Sequence, residues 1–285
     1  MAQTPDQFQA AIDAVAEKQD ADLLLVSSSI HDKSADRIID ILRKIAPRKK
    51  NIGFILVTTG GSADAAFQIA RYVKRRYKKF MLYIFGSCKS AGTLIAIGAD
   101  EVIMSEFGQF GPLDVQLANK EEMYGQTPAL DVSQSLATLS ESAFSFFSDH
   151  FFNMGPGTGL STKTASDIAI ALTNAIVQPI AGQIDPLLLG RVERSMKIAQ
   201  AYSERLNPGF KNITRLIKEY PSHEFVIDFD EAKKLFSNVR EPDDDEKNIE
   251  EGLRQRQWAP REATRDTVIS LLPTQKPAKE SAKTL

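Results

Sequence analysis

The chain has 285 residues, 42% of them hydrophobic and 25% charged, with a formal net charge of −2. That is enough for one large domain or two small ones with a substantial core, and it gives no global attraction to nucleic acid or to an anionic membrane. A single cysteine excludes an internal disulfide and a cysteine-rich metal site, and three widely spaced histidines argue against zinc.

In chain order, residues 5–19 carry a helical rhythm of Phe8, Ala11, Ile12 and Val15. The N-terminus before them, Met1 to Asp6, is polar and has no apolar leader segment. Residues 21–28 form a buried-strand pattern, and residues 34–45 an amphipathic helix for which Ser34 is the expected N-cap. A second apolar strand spans Ile52 to Val57, a helix Ser62 to Arg76, a third strand Phe80 to Phe85, a third helix Ser90 to Gly98, and a short strand Glu101 to Met104. The basic run Lys74 to Lys79 reads as a solvated helix end. Near-continuous apolar strands alternating with helices predict an α/β fold whose parallel sheet is covered on both faces.

After about residue 117 the pattern turns helical. Helices are expected over 133–152, rich in phenylalanine, then 163–178 and 186–206. The core resumes with the apolar triplet Phe225, Val226 and Ile227 and a helix from Asp230 to Phe236. Composition divides the chain into a main domain over 1–240, with a helical extension over about 118–215, and a disordered charged tail over 241–285. An apolar island at 267–273 interrupts the tail, and Val268 to Leu272 offers a docking peptide for a partner or a neighbouring subunit. No apolar run approaches the roughly 20 residues that span a bilayer. The expected location is therefore the cytoplasm, with peripheral membrane association left open.

Two short stretches carry chemistry. Thr58-Thr59-Gly60-Gly61-Ser62 and Gly86-Ser87-Cys88-Lys89-Ser90-Ala91-Gly92-Thr93 each follow a strand-like run and open a helix-like run. A serine hydroxyl needs a base to take its proton and donors to hold the oxyanion that forms. Ser90 stands at a helix start, where the Ala91 N–H lacks an intrahelical partner. Gly60 and Gly61 can bring a second N–H close, because glycine accepts positive φ and close backbone approach. Each stretch alone also fits plain packing. The pair, in this order and spacing, points to a serine hydrolase. Lys89, next to Ser90, points elsewhere on a helix start, and Cys88 reads as a small core residue. His31 and His150 read as structural or surface groups.

The segments Thr59 to Ala66, Cys88 to Ala96 and Gly111 to Gln116 resemble the serine dehydrogenase proteinase group within the Clp-protease and SppA-like signal-peptide-peptidase superfamily. The likeness continues through Gln183 to Pro186 and Tyr220 to Asp228. The resemblance implies a ClpP/crotonase-like core and a serine peptidase with Ser90 as nucleophile. It implies Gly61, Ala91 and Gly60 at the oxyanion hole, no cofactor and no metal, a peptide or unfolded protein segment as substrate, and a homo-oligomer. The base departs from the pattern. The position where Clp-type proteases keep a histidine falls in Gly111 to Gln116, which has none, and the SppA-type lysine has only Lys120 and Lys163 as loose counterparts. His223 falls where the family keeps its acid, and Asp114 near where it keeps its base. A Ser90–His223–Asp114 triad with these roles exchanged is physically acceptable, because triads are defined by geometry rather than sequence order. His223 as a plain turn residue and Lys163 as an alternative base stay open. Two other functions also stay open: a Clp-like scaffold that has lost its base, and crotonase-type acyl-CoA chemistry.

Overall fold

The computed structural model describes residues 3–113, 116–118, 126–154, 158–183, 185–256 and 268–274. These fall into two units, Met1–Asp114 with Ile198–Leu285, and Val115–Lys197.

The first unit opens with α1 (Pro5–Lys18), β1 (Ala21–Ser27), α2 (Asp32–Lys44), β2 (Asn51–Val57), α3 (Ala63–Arg76) and β3 (Phe80–Ile84). It continues with β4 (Ser87–Cys88), α4 (Ala91–Ile97), β5 (Glu101–Met104) and β6 (Gln109–Phe110). The predicted elements therefore form where the apolar periodicity places them. One cap differs. His31 is the N-cap of α2, and Ser34 sits three residues inside, where its Oγ accepts the His31 N–H at 2.9 Å and completes a capping box.

The second unit holds the short antiparallel pair β7 (Gln116–Ala118) and β8 (Gln126–Pro128), then α5 (Ala129–Asn153), α6 (Thr162–Ala181) and the first part of α7 (Pro186–Leu206). Helices α5 and α6 pack on each other, and α6 buries a stripe of small residues, Ala165, Ala169 and Thr173, at four-residue spacing. Large apolar side chains stay exposed here, with Phe144 at 73%, Phe152 at 75% and Leu187 at 77%. The end of α7 belongs to the first unit, so the helical extension is shorter than composition predicts. There Tyr202 stacks on Phe67 and donates its hydroxyl to Asp64, and Ala199, Ser203 and Leu206 are buried.

The chain closes with α8 (Ile213–Lys218), α9 (Phe229–Leu235), β9 (Val239–Arg240), α10 (Asp244–Gln255) and β10 (Val268–Leu271). A six-stranded sheet runs in the order β10-β1-β2-β3-β5-β9, parallel throughout except for β10 at one edge. Helical crossovers between parallel strands cover both faces. Leu23, Leu25, Ile55, Val57, Met81, Tyr83 and Ile103 share a core cluster with Phe8, Ile12 and Val15 of α1 and with Ile249 and Leu253 of α10. Their alternation puts Leu24, Phe54, Leu56, Leu82 and Val102, also fully buried, on the opposite face.

Among its described residues, the expected disordered tail holds a helix and a strand. Asp243 caps α10 and Glu246 completes the capping box, so what composition presents as a charge run is the polar start of a helix. Glu246 is fully buried, accepts two bonds from Arg240 at 2.6 and 2.8 Å, and accepts the Tyr83 hydroxyl at 3.1 Å. Its negative charge is thus paired and hydrogen-bonded, the condition under which a buried carboxylate is tolerated. The apolar island is spent within its own chain. β10 pairs antiparallel with β1 from Leu24↔Leu271 to Ser27↔Val268, and Ile269 and Leu272 are buried. This covers an edge strand that would otherwise present unpaired backbone groups.

Candidate active site

In open α/β sheets the chemistry collects beyond the carboxyl ends of the strands. Beyond the ends of β2 and β3 the chain forms a second, smaller set of pairings. The Thr58 N–H donates to the Ser87 carbonyl at 2.7 Å, and the Thr58 carbonyl accepts the Lys89 N–H at 3.0 Å. β4 then pairs in parallel with β6, Cys88 beside Phe110. Phe110 in turn exchanges both backbone bonds with Ile227, at 2.9 and 3.0 Å. Thr58, Cys88, Phe110 and Ile227 are thereby laced side by side. This brings the glycine turn, the Ser90 turn and the segment that carries His223 into one layer.

Ser90 has φ 50° and ψ −109°, a left-handed conformation that a residue with a side chain adopts only at a cost. Its side chain makes no capping bond to α4, so helix capping does not explain the serine. The surroundings hold the strain in place. The Ser90 carbonyl accepts the Leu94 N–H at 3.1 Å, and the Gly92 N–H closes onto the Lys89 carbonyl at 2.9 Å. Gly92 has no room for a side chain, since a Cβ there would lie 2.7 Å from Cys88 Sγ and from Thr58 Cγ2. Burial pushes the Cys88 thiol far up, so it stays protonated, in keeping with a small core residue. At one end of this turn Ala91 is the first residue of α4, and its N–H meets no acceptor among the described residues.

The glycine pair abuts this turn. Gly60 and Gly61 have φ of 111° and 138°. A Cβ on Gly60 would sit 2.7 Å from Ser90 Cβ and 3.3 Å from its Oγ, and one on Gly61 would run into the Ile30 carbonyl oxygen. The two N–H groups differ. That of Gly60 donates to Thr58 Oγ1 at 3.1 Å. The Gly60 carbonyl accepts the Ile30 N–H at 2.8 Å, and the Ser62 N–H donates to the Ile30 carbonyl at 2.7 Å. In a trans peptide the carbonyl and the following N–H point in opposite directions. The Gly61 N–H therefore points away from Ile30, and among the described residues it meets no acceptor. Of the three amides named from sequence, those of Gly61 and Ala91 meet no acceptor among the described residues, and that of Gly60 is committed.

His223 is 8% exposed and lies in the segment Tyr220 to Asp228. Several contacts hold that segment, three of them to its surroundings by named polar groups. The Tyr220 hydroxyl donates to Glu231 at 2.9 Å, Lys89 Nζ reaches the Glu224 carbonyl at 3.3 Å, and Ile227 pairs with Phe110. Lys89 thus extends its amine to the backbone beside His223. The triplet Phe225, Val226 and Ile227 is not a core strand, because only Ile227 is buried while Phe225 and Val226 are exposed. Asp114 and Lys120 lie outside the described residues. The residue before Asp114 is anchored, with the Leu113 N–H donating to the Leu216 carbonyl at 2.9 Å. Lys163 is an exposed residue in the first turn of α6, in the other unit. Sequence reasoning included Thr58 and Thr93 in the two stretches without giving either a role, and it missed Ile30. Thr93 is fully buried, and its hydroxyl donates to the Gly111 carbonyl at 2.7 Å, tying α4 to the turn after β6.

A sequence model of the family described as ClpP-like SDH-type serine proteinase matches residues 26–175, more than half of the chain. The chain belongs to this family. The match covers the whole of both turns built around Ser90 and Gly61, and it is consistent with the mostly parallel ClpP-like sheet. Two curated relatives from Methanocaldococcus jannaschii are themselves uncharacterized. MJ0137 is 34% identical over 125 residues, 40% of this chain and 44% of that protein. MJ1495 is 36% identical over 98 residues, 34% of this chain and 31% of that protein. The chain thus spans less than half the length of the curated relatives it matches. Among solved structures, a mutant of the 1510-N membrane-bound stomatin-specific protease is similar at 19% identity and a TM-score of 0.30, over 49% of this chain and 64% of that one. Among the described residues no helix is long and apolar enough to cross a membrane.

Proposed function

We propose that this proteinase-family member hydrolyses peptide bonds, with Ser90 as nucleophile, the Gly61 and Ala91 amides as oxyanion donors and His223 as general base. The observation that carries this reading is the backbone of Ser90. A strained left-handed serine that caps nothing, at a strand-to-helix turn and against a glycine pair, is the arrangement that lifts a hydroxyl towards a substrate. In the reaction Ser90 Oγ attacks the scissile carbonyl carbon while His223 takes its proton. The carbonyl oxygen becomes an oxyanion that accepts from the Gly61 and Ala91 N–H groups. His223 then returns the proton to the leaving amine, and water releases the acyl group by the same steps in reverse. Asp114, next to the anchored Leu113, is the proposed orienting acid for His223.

A scaffold role had two supports in the sequence, the displaced histidine and the apolar tail island. The island is occupied by β1 of its own chain, which leaves only the first.

The test is covalent labelling by a fluorophosphonate probe. Ser90→Ala is expected to abolish labelling with the fold intact by circular dichroism. His223→Ala is expected to slow labelling by about 10²-fold or more, the usual scale of general-base loss. Equal labelling of Ser90→Ala and wild type removes Ser90 as nucleophile. Loss of labelling in Lys163→Ala with none in His223→Ala assigns the base to the lysine.

A further inference from the structure

An oxyanion hole works when its donors are already aimed at the place where charge develops. Adjacent glycines carry little conformational preference of their own, so something else must decide which amide of Gly60 and Gly61 faces Ser90. The peptide between them has two faces. In the observed orientation its carbonyl meets Ile30 and its N–H, that of Gly61, points away. A flip of this peptide would present a carbonyl oxygen in place of a donor.

Thr58 is placed to make that choice. It is fully buried. Its Oγ1 accepts the Gly60 N–H at 3.1 Å, which fixes the preceding peptide and hence the direction in which the Gly60 carbonyl leaves. Its backbone is bonded on both sides to the other arm of the site, donating to Ser87 and accepting from Lys89, the residue before Ser90. The Ser87 hydroxyl adds a bond to the Thr58 carbonyl at 3.4 Å. Its methyl group is the wall against which Gly92 must lack a Cβ. One side chain therefore touches both arms, with the hydroxyl on the glycine turn and the methyl on the helix that Ser90 opens.

We propose that Thr58 is a positioning residue, whose hydroxyl selects the peptide orientation that turns the Gly61 N–H towards Ser90. This rests on the serine-peptidase reading above. The hydroxyl acts on the donor through Gly60 and does not touch substrate. Valine at this position keeps the branched shape and the methyl wall while removing the acceptor. Serine keeps the acceptor and removes the methyl.

The experiment compares Thr58→Val and Thr58→Ser in two readouts. The first is fluorophosphonate inactivation resolved into its maximal rate and its half-saturating probe concentration. Thr58→Val is expected to lower the maximal rate about 10- to 100-fold, up to the loss of a whole oxyanion donor, with the half-saturating concentration within about twofold because probe binding does not use the hydroxyl. Thr58→Ser is expected to stay within about threefold of wild type. The second readout needs no activity. Hydrogen exchange of the Ile30 amide, which is bonded to the Gly60 carbonyl, is expected to accelerate in Thr58→Val and not in Thr58→Ser. Thr58→Val matching wild type in both readouts overturns the proposal, and so does Thr58→Ser losing as much as Thr58→Val, which would make the residue a packing element. If wild type and Ser90→Ala label alike while Ile30 exchange still separates valine from serine, the peptidase reading fails and the peptide-orienting role of Thr58 stands. Should valine prevent folding, Thr58→Ala against Thr58→Ser makes the same comparison.

Discussion

The two halves of the site are held in different ways. The Ser90 turn and the glycine turn are fixed by backbone bonds, by the neutral Thr58 hydroxyl and by forbidden space. Backbone bonds hold Thr58, Gly60, Ser62, Ser87, Lys89, Ser90 and Gly92, and Gly60, Gly61 and Gly92 each lie where a Cβ would collide. The contacts of the segment carrying His223 are of a different kind and include a pair of backbone bonds at Ile227, a lysine reach at Glu224, and a carboxylate under Tyr220. The first half gains its precision from sterics, which do not respond to pH or salt. The second half is tuned by charged groups at its edges. On the proposed reading, the donor side of the site would keep its shape across solution conditions, whereas the placement of His223 would respond to them.

The largest expected effect that could break this contrast is at Gly61. Alanine there meets both a φ of 138° and the Ile30 carbonyl oxygen, so two separate penalties add. Gly61→Ala should destabilise the fold by about 3 kcal/mol or more, the range of substitutions that combine backbone strain with overpacking. Urea denaturation measures it, and a loss below about 1 kcal/mol would mean the glycine turn yields easily. A smaller effect of opposite sign is expected at Ser90. Glycine takes φ 50° without strain, whereas alanine keeps the Cβ that causes it. Ser90→Gly should therefore be more stable than Ser90→Ala by about 1 kcal/mol, after the extra unfolded-state entropy of glycine is subtracted. Equal stabilities would show that the left-handed turn stores no strain.

The same contrast explains what the sequence made legible. The strands and helices of the first unit follow apolar periodicity, and the pairing of Gly60-Gly61 with Ser90-Ala91 is a local pattern. Both could be read from neighbours in the chain. The conformation of Ser90, the bond from Ile30 to the Gly60 carbonyl and the placement of the His223 segment by Phe110 depend on residues far apart in sequence, and no local signal carries them. The C-terminal stretch was misleading for another reason. A capping box, Asp243 with Glu246, and two apolar residues four apart, Ile249 and Leu253, were present in residues 243–253, but their surrounding charge masks them in any reading by composition. Glu246 in particular looks like a solvated charge and is instead a buried partner of Arg240 and Tyr83.

The finest test separates the two halves by pH. Glu231 accepts the Tyr220 hydroxyl at 2.9 Å and an Arg215 bond at 2.6 Å. The Tyr220 hydroxyl first, then the Arg215 charge, hold the Glu231 carboxyl below its ordinary value despite some burial. A carboxylate depressed in the folded state contributes stability that is complete above the unfolded value and is lost as pH falls through the folded one. Acidification from neutral to below the ordinary glutamate range should therefore loosen the Tyr220 end of the His223 segment. The glycine turn, held by backbone bonds, the Thr58 hydroxyl and sterics, has no titrating group among the described contacts that fix it. Hydrogen exchange, corrected for its intrinsic pH dependence, should show protection falling at Phe225 on acidification, with protection at Ile30 and Ser62 constant. Glu231→Gln keeps an acceptor for Tyr220 and removes the charge, so its profile at Phe225 should be flat over the same range. A wild-type profile as flat as that of the variant would show that the Glu231 charge does not anchor the His223 segment, and the contrast in pH response between the two halves of the site would be lost.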